Sequence, residues 1–354
     1  MSLSAEQSRT SLLDRIGAGR TLDAYVVGVA FLEEGLLAAA LGDGRVAFID
    51  SESTNPPPFV SVHDGACLSL AVDLEAQRVL TGGDDGRLVS TGTDGGTAEI
   101  AAIAGRWVEP IAVSRVSGLR AAAFGKTVSL FSRDGRAVGE FDHSNTVGGL
   151  AFDPKGRRIA AAHYGGVSLW WAKGGMQKPK RLSWSGSHLD LTWSPDGKYI
   201  VTAMQENELH GWRLSDGADM RMAGYPTKVR SMSWLPKGRY LATGGAEFVV
   251  CWPFHGKGGP MGKAPLDLGW GFEGVVTVVA AHPRHDVVAA GYKDGATILV
   301  QIDRTHPVLV KRPGKGAVTA LAWSADGLYL ALGTESGFVG RIGLSDWRAP
   351  SSIK

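Results

Sequence analysis

The sequence predicts an all-β fold, one ring of repeated four-strand units closed on itself. Three observations carry this. Apolar segments return about every 40 residues, their side chains alternate with period two, and Gly-containing turns separate them. A chain of 354 residues is long for one domain, yet no linker between two different folds is visible. Repeat folds escape that limit because they add units and not core radius.

The repeat is clearest at Leu191-Thr-Trp193-Ser-Pro-Asp-Gly-Lys-Tyr-Ile200. It returns as Met232-Ser-Trp234-Leu-Pro-Lys-Gly-Arg-Tyr-Leu241 and Leu321-Ala-Trp323-Ser-Ala-Asp-Gly-Leu-Tyr-Leu330. Leu150-Ala-Phe152-Asp-Pro-Lys-Gly-Arg-Arg-Ile159 is a fourth copy, and weaker ones are anchored at Phe31, Val72, Val113 and Ala281. The eight anchors lie 41, 41, 39, 41, 41, 47 and 42 residues apart. A period near 40 with short strands is the signature of a β-propeller.

Each unit then continues alike. Tyr199–Thr202 and Leu209–Trp212 follow Trp193, and Ile159–Ala162 and Val167–Trp170 follow Phe152. Asp43-Gly44, Asp85-Gly86 and Asp294-Gly295 mark tight turns before third strands. After the last third strand, Gly337 to Leu344, only ten residues remain, a poor outer strand. Residues Ser11 to Thr21 are free to supply it, which would remove two exposed sheet edges. The expectation is a closing N-terminal segment (1–21), a propeller (22–345) and a C-terminal tail (346–354). Eight blades are favoured over seven.

This pattern resembles the WD-repeat family across about residues 22–345. The resemblance implies a network in each unit: a His before the first strand, Ser/Thr on the second, Asp in the second turn and Trp on the third. The best match is His63, Thr81 and Asp85, with Ser90 near the Trp position. The fourth unit keeps His143 and Trp170 but has Ala161 and Gly165. The sixth keeps Thr243 and Trp252, with Tyr225 at the His position and Glu247 near the Asp position. No unit holds all four members, so the chain is a degenerate relative.

Composition excludes several classes. No segment approaches the roughly 18 apolar residues of a membrane span, and Met1 to Arg20 lacks a signal-peptide core. Cys67 and Cys251 form no C-x-x-C pair and read as two buried thiols, with a disulfide between them as the alternative. His282-Pro-Arg-His285 has metal-like spacing but no third ligand, and reads as exposed turn histidines. The loop His255 to Lys263 fails phosphate-loop spacing, with Lys257 at the first Gly position and Ala264 replacing Ser/Thr. Two basic stretches, Lys173 to Arg181 and Lys311 to Lys315, read as solvated loops.

Charge is divided unevenly. Residues 1–150 carry 12 basic and 19 acidic side chains, and residues 151–354 carry 25 and 16. A ring so divided has an electric dipole across its disc. Trp170, Trp193, Trp212, Trp234, Trp252 and Trp323 fall at repeat positions, whereas Trp107, Trp184, Trp270 and Trp347 do not. Trp171 should face away from Trp170.

The functional expectation is a non-catalytic, cytoplasmic scaffold that binds other proteins as a monomer, without cofactor, metal, membrane or nucleic acid. The resemblance places the contact on the face of the loops entering the innermost strands: Tyr25, Arg106, Trp107, Asn145 and Lys228. The turns before third strands add Asp43, Asp84, Tyr164, Glu206, Lys293 and Glu335. Two rivals remain: a propeller enzyme at the central channel, lactonase- or dehydrogenase-like, and a metal-handling accessory protein using the nine histidines.

Overall fold

The second strand of several units is rich in small apolar side chains. Leu37–Leu41 reads LAAAL, Leu119–Phe124 reads LRAAAF, and both are buried at every position. A strand buried on both faces needs side chains small enough for two neighbouring sheets to approach. That requirement places it inside a radial stack of blades. A computed structural model of the chain describes residues 10–50, 55–173, 178–256, 258–304 and 306–344. The expected tail 346–354, with Trp347, lies outside the described residues, as does Lys257.

Backbone hydrogen bonds group the strands into seven sheets, six of four strands and one of six. The six-stranded sheet holds two repeat units. Its segment Arg158–Trp171 is a hairpin turning at Tyr164-Gly165, since Ala172 N–H donates back to Arg157 O at 2.8 Å. Its segment Lys180–Trp193 supplies the outer strand of the fourth unit and then the innermost strand of the fifth, and the pair Tyr164–Ser187 joins the two. The ring therefore shows seven sheets and contains eight four-strand units. Buried side chains give the same count, because eight apolar clusters each bridge two adjacent units.

Closure follows from the N-terminus. Gly17–Thr21 pairs antiparallel with Phe338–Gly343, completing the last unit after Val318–Trp323 and Tyr329–Thr334. The residues just before it are not extended, as Leu12–Ile16 forms one helical turn. Ser11 and Asp14 close a capping box at its start, and Leu12 is buried between the seventh and eighth units. Seven of the eight anchors end their innermost strands; Val113 is the exception, one residue short of Ser114.

Six innermost strands share a register shift that leaves one extra residue near the start, such as Thr277 or Thr319. Thr277 Oγ1 lies 2.6 Å from Val318 O, and Thr319 donates to Val26 O at 2.6 Å. Hydroxyls at the bulges thus stitch neighbouring units, including the eighth to the first. Trp193 and Trp323 act at the other end of these strands, donating to Ala151 O and Ala280 O of the preceding unit.

Candidate interaction face

Asp85 sits in the turn between Arg78–Gly83 and Arg87–Gly92, two residues after the strand that carries Thr81. His63 Nδ1 lies 3.0 Å from Asp85 Oδ1, and His63 Nε2 lies 2.9 Å from Thr81 Oγ1. Nδ1 donates to the carboxylate, and Nε2 shares a hydrogen bond with the Thr81 hydroxyl. Asp85 also accepts from the N–H groups of Asp64 and Arg87, both at 3.1 Å. Burial acts to raise the Asp85 pKa, but the N–H groups of Arg87, His63 and Asp64 outweigh it and hold the carboxyl below its usual range. Thr81 is fully buried, so no substrate reaches this His, Asp and hydroxyl group. It fastens a loop to a turn.

Other units build the same fastening from other side chains. In the sixth, Trp252 Nε1 donates to Tyr225 Oη at 2.6 Å, and Tyr225 lies 2.7 Å from Thr243 Oγ1. In the fourth, Trp170 Nε1 donates to His143 Nε2 at 3.2 Å, with Ala161 where a hydroxyl would stand. The fifth unit's repeat is clear in the sequence, but its fastening was missed there. Trp184, within the extended segment before the innermost strand, stacks on His210 at 3.9 Å, while His188 reaches Thr202 at 2.8 Å. The signal was present as an unassigned tryptophan four residues before an innermost strand. Ser90 joins none of this; it donates to Asp73 at 2.5 Å and accepts from Arg78 at 2.9 Å.

These fastenings fix one face of the disc. Most turns before a third strand are hydrogen bonded to the loop entering the next innermost strand, as in Ile103 N–H to Gly86 O and Gly314 N–H to Asp294 O. Tyr25, Trp107 and Tyr164 stand on this face with 48%, 68% and 58% of their surfaces exposed. Trp107 does not cover its own blade; its neighbour Val108 is fully buried and fills the junction between the second and third units. Arg106 lies beside the Gly125 turn. Glu206 and Lys293 are exposed, Asn145 and Lys228 are half-buried. Asp43 pairs with Arg45 at 2.6 Å, and Asp84 accepts from Ala66 N–H at 2.8 Å. Burial raises the Tyr25 phenol pKa, the Glu335 charge adds to this, and Arg230 opposes it. A further exposed ring belongs here, Trp270 packed at a tilt against Phe248 with ring centroids 4.3 Å apart.

Several motifs resolve differently from their sequence readings. His282 is buried, not exposed, and both its nitrogens are used. Nε2 lies 3.1 Å from Gly327 O, and Nδ1 accepts from the N–H groups of Arg284 and His285 at 3.0 Å. A nitrogen engaged this way is no metal ligand. Among the described residues, no group of three or more His, Cys, Asp or Glu could hold a metal ion. Lys311 is buried and not solvated; its ammonium donates to the carbonyls of Gly295, Arg312 and Gly314. In the Gly-rich loop, Lys263 is tied to the carbonyls of His255 and Gly259. Cys67 and Cys251 are free and buried, and burial pushes both thiols up to about 12.

Among the described residues, one carboxyl on the innermost strands has a strongly raised pKa. Asp190 lies on the innermost strand of the fifth unit against Gly149 of the fourth. Water reaches it, yet protein surrounds it, and this desolvation, with the nearby charge of Glu109, pushes its pKa up to about 6.

Comparison with known proteins gives a consistent picture. The family described as WD domain, G-beta repeat matches residues 220–252, which contain Tyr225, Thr243 and Trp252. The chain is similar to Chromatin assembly factor 1 subunit FAS2 homolog of Oryza sativa subsp. japonica, 30% identical over 199 residues, covering 54% of this chain and 36% of that one. Telomerase protein component 1 of Rattus norvegicus is 23% identical over 208 residues, 57% of this chain and 8% of that protein. THO complex subunit 3 of Arabidopsis thaliana is 23% identical over 202 residues, 56% and 61% of the two chains. The matched region thus spans about a third or less of the first two relatives. Among solved structures, the computationally designed Ika8 protein superposes with a TM-score of 0.74 at 17% identity, over 92% of this chain and 98% of that one.

Proposed function

The chain belongs to the WD-repeat family of β-propellers, and on that premise we propose that it is a non-catalytic scaffold that docks a protein partner on the face of Tyr25, Trp107 and Tyr164. The observation that carries this reading is Trp107, mostly exposed beside a residue that is fully buried. Large rings held on hydrogen-bonded turns lose little entropy on binding and bury much surface. Relatives named as subunits of a chromatin assembly factor and a THO complex support a role within a protein assembly. The fastened polar groups support a structural role, because their hydroxyls are buried under the loops they secure.

Affinity capture from the native cell, with wild type and Trp107→Ala/Tyr164→Ala in parallel, tests the proposal. A partner that wild type retains and the variant loses supports it, each substitution costing about 2 kcal/mol of binding. Retention of every wild-type partner by a variant that melts normally overturns it.

A further inference from the structure

The opposite face carries the turns between first and second strands, and its chemistry differs. These turns touch around part of the ring. A Cβ on Gly197 of the fifth unit would meet Pro154 of the fourth at 3.7 Å, and one on Gly238 of the sixth would meet Pro195 of the fifth at 3.2 Å. Arg239 of the sixth pairs with Asp286 of the seventh at 3.7 Å. Units four to seven therefore present one continuous arc of turns. The loop after the fourth unit's third strand joins it, through the hydrogen bond from Ala172 to Arg157.

Five cations on this arc are exposed: Lys155, Arg157, Lys173, Lys237 and Arg284. Among the described residues, none of their side chains has an ion pair or hydrogen bond. The carboxylates of the same turns are engaged. Asp153 is buried and accepts from the N–H groups of Arg157 and Arg158, Asp196 pairs with Lys198 at 2.9 Å, and Asp286 pairs with Arg239. The corresponding turns of the first two units carry Glu33, Glu34 and Glu75 instead. The uneven charge of the chain thus becomes a basic arc facing an acidic one across the ring.

We propose that this arc binds the phosphate backbone of duplex nucleic acid without reading its sequence, against the expectation that nucleic acid is no partner. Unpaired ammonium and guanidinium groups on rigid turns suit a polymer of regularly spaced phosphates, whose counterions they displace. A protein partner would call for a cluster of apolar anchors, whereas Trp171 is a single exposed ring on this arc. A single strand would call for a series of stacking rings, and Trp171 beside Ala172 is one exposed ring and no series. The surface lies opposite the aromatic rim, so this inference stands independently of the proposed docking of a protein there.

The test is fluorescence anisotropy of a labelled duplex of mixed sequence, of about two helical turns, titrated with the full chain between about 50 and 200 mM salt. Lys155→Glu/Arg157→Glu/Lys237→Glu on the arc is compared with Lys293→Glu on the other face. The expected result is salt-dependent binding by wild type, a loss of about tenfold or more in the arc variant, and little change in Lys293→Glu. The salt slope of the arc variant should fall by about 0.9 for each phosphate contact removed. Unchanged thermal melting of the arc variant assigns its loss to charge. Absence of binding at the lowest salt overturns the proposal, and so does equal loss in both variants. Tighter binding of poly-glutamate than of the duplex, through the same residues, would also overturn it and identify an acidic protein as the occupant.

Discussion

Asp73 and Arg120 form a fully buried bidentate ion pair between the second and third units, with Nε 2.6 Å and a second guanidinium nitrogen 2.9 Å from the carboxylate oxygens. Arg120 also donates to the carbonyls of Ser132 and Arg133, and Asp73 accepts from Ser90 and from Leu74 N–H. Burial raises the Asp73 pKa, but the bonds from Arg120 and Ser90 prevail and hold it below the usual range. The third unit has the weakest repeat, with Val113 as its anchor, and this pair fastens it to its neighbour.

Removing one partner leaves a buried charge alone. Asp73→Ala or Arg120→Met should each cost about 3–5 kcal/mol in urea unfolding, whereas Asp73→Leu/Arg120→Met together should cost clearly less than their sum. Additive losses in the double variant would show that the two groups do not act as a pair.

Ring closure depends on the N-terminus. Deleting residues 1–21 strips the outer strand from the eighth unit and removes Leu12 from the cluster beside it. The melting temperature should fall by several degrees or more. Scanning calorimetry showing unchanged melting would mean that the strand contributes no closure.

Asp85→Ala removes the acceptor of His63 and of two backbone N–H groups. The expected loss is about 1–3 kcal/mol, read from chemical denaturation. Asp85→Asn, which keeps an acceptor oxygen, should recover part of it.

Acid should weaken the fifth unit through His210. Desolvation lowers its pKa to about 4; Asp219 Oδ2 lies 3.3 Å away, yet neither ring nitrogen makes a hydrogen bond. A histidine near 6.5 in the unfolded chain binds its proton first there, so stability present above that value is lost as pH falls through 4. Asp190 acts in the opposite sense. Its carboxyl, raised to about 6, holds a proton that the unfolded chain releases near 4, so its contribution is lost as pH rises through 6. His210→Phe should flatten the stability profile between about pH 4 and 6.5, and Asp190→Asn should raise stability above about pH 6 with little effect near pH 4. Thermal melts across this range check both; an unchanged profile in His210→Phe would mean that His210 gains its proton equally in both states.

The repeat itself determined the strands, their anchors and the origin of the closing strand. Alternating apolar residues and Asx-Gly turns are local signals, and Trp193 or Trp323 can be placed at a strand end from spacing alone. The sequence also pointed to Tyr225 as the stand-in for His in the sixth unit, where it contacts Thr243 and Trp252. Tertiary structure decided what depends on neighbours distant in the chain. Asp73 and Arg120 are 47 residues apart, and nothing near either one announces the other. Lys311 read as a solvated loop residue until folded backbone carbonyls surrounded it. The unpaired cations of three units look scattered along the chain and become one arc only when the turns of adjacent units touch. Local periodicity determines which residues form strands, whereas the partners of a buried charge are set by the radial packing of one unit on the next.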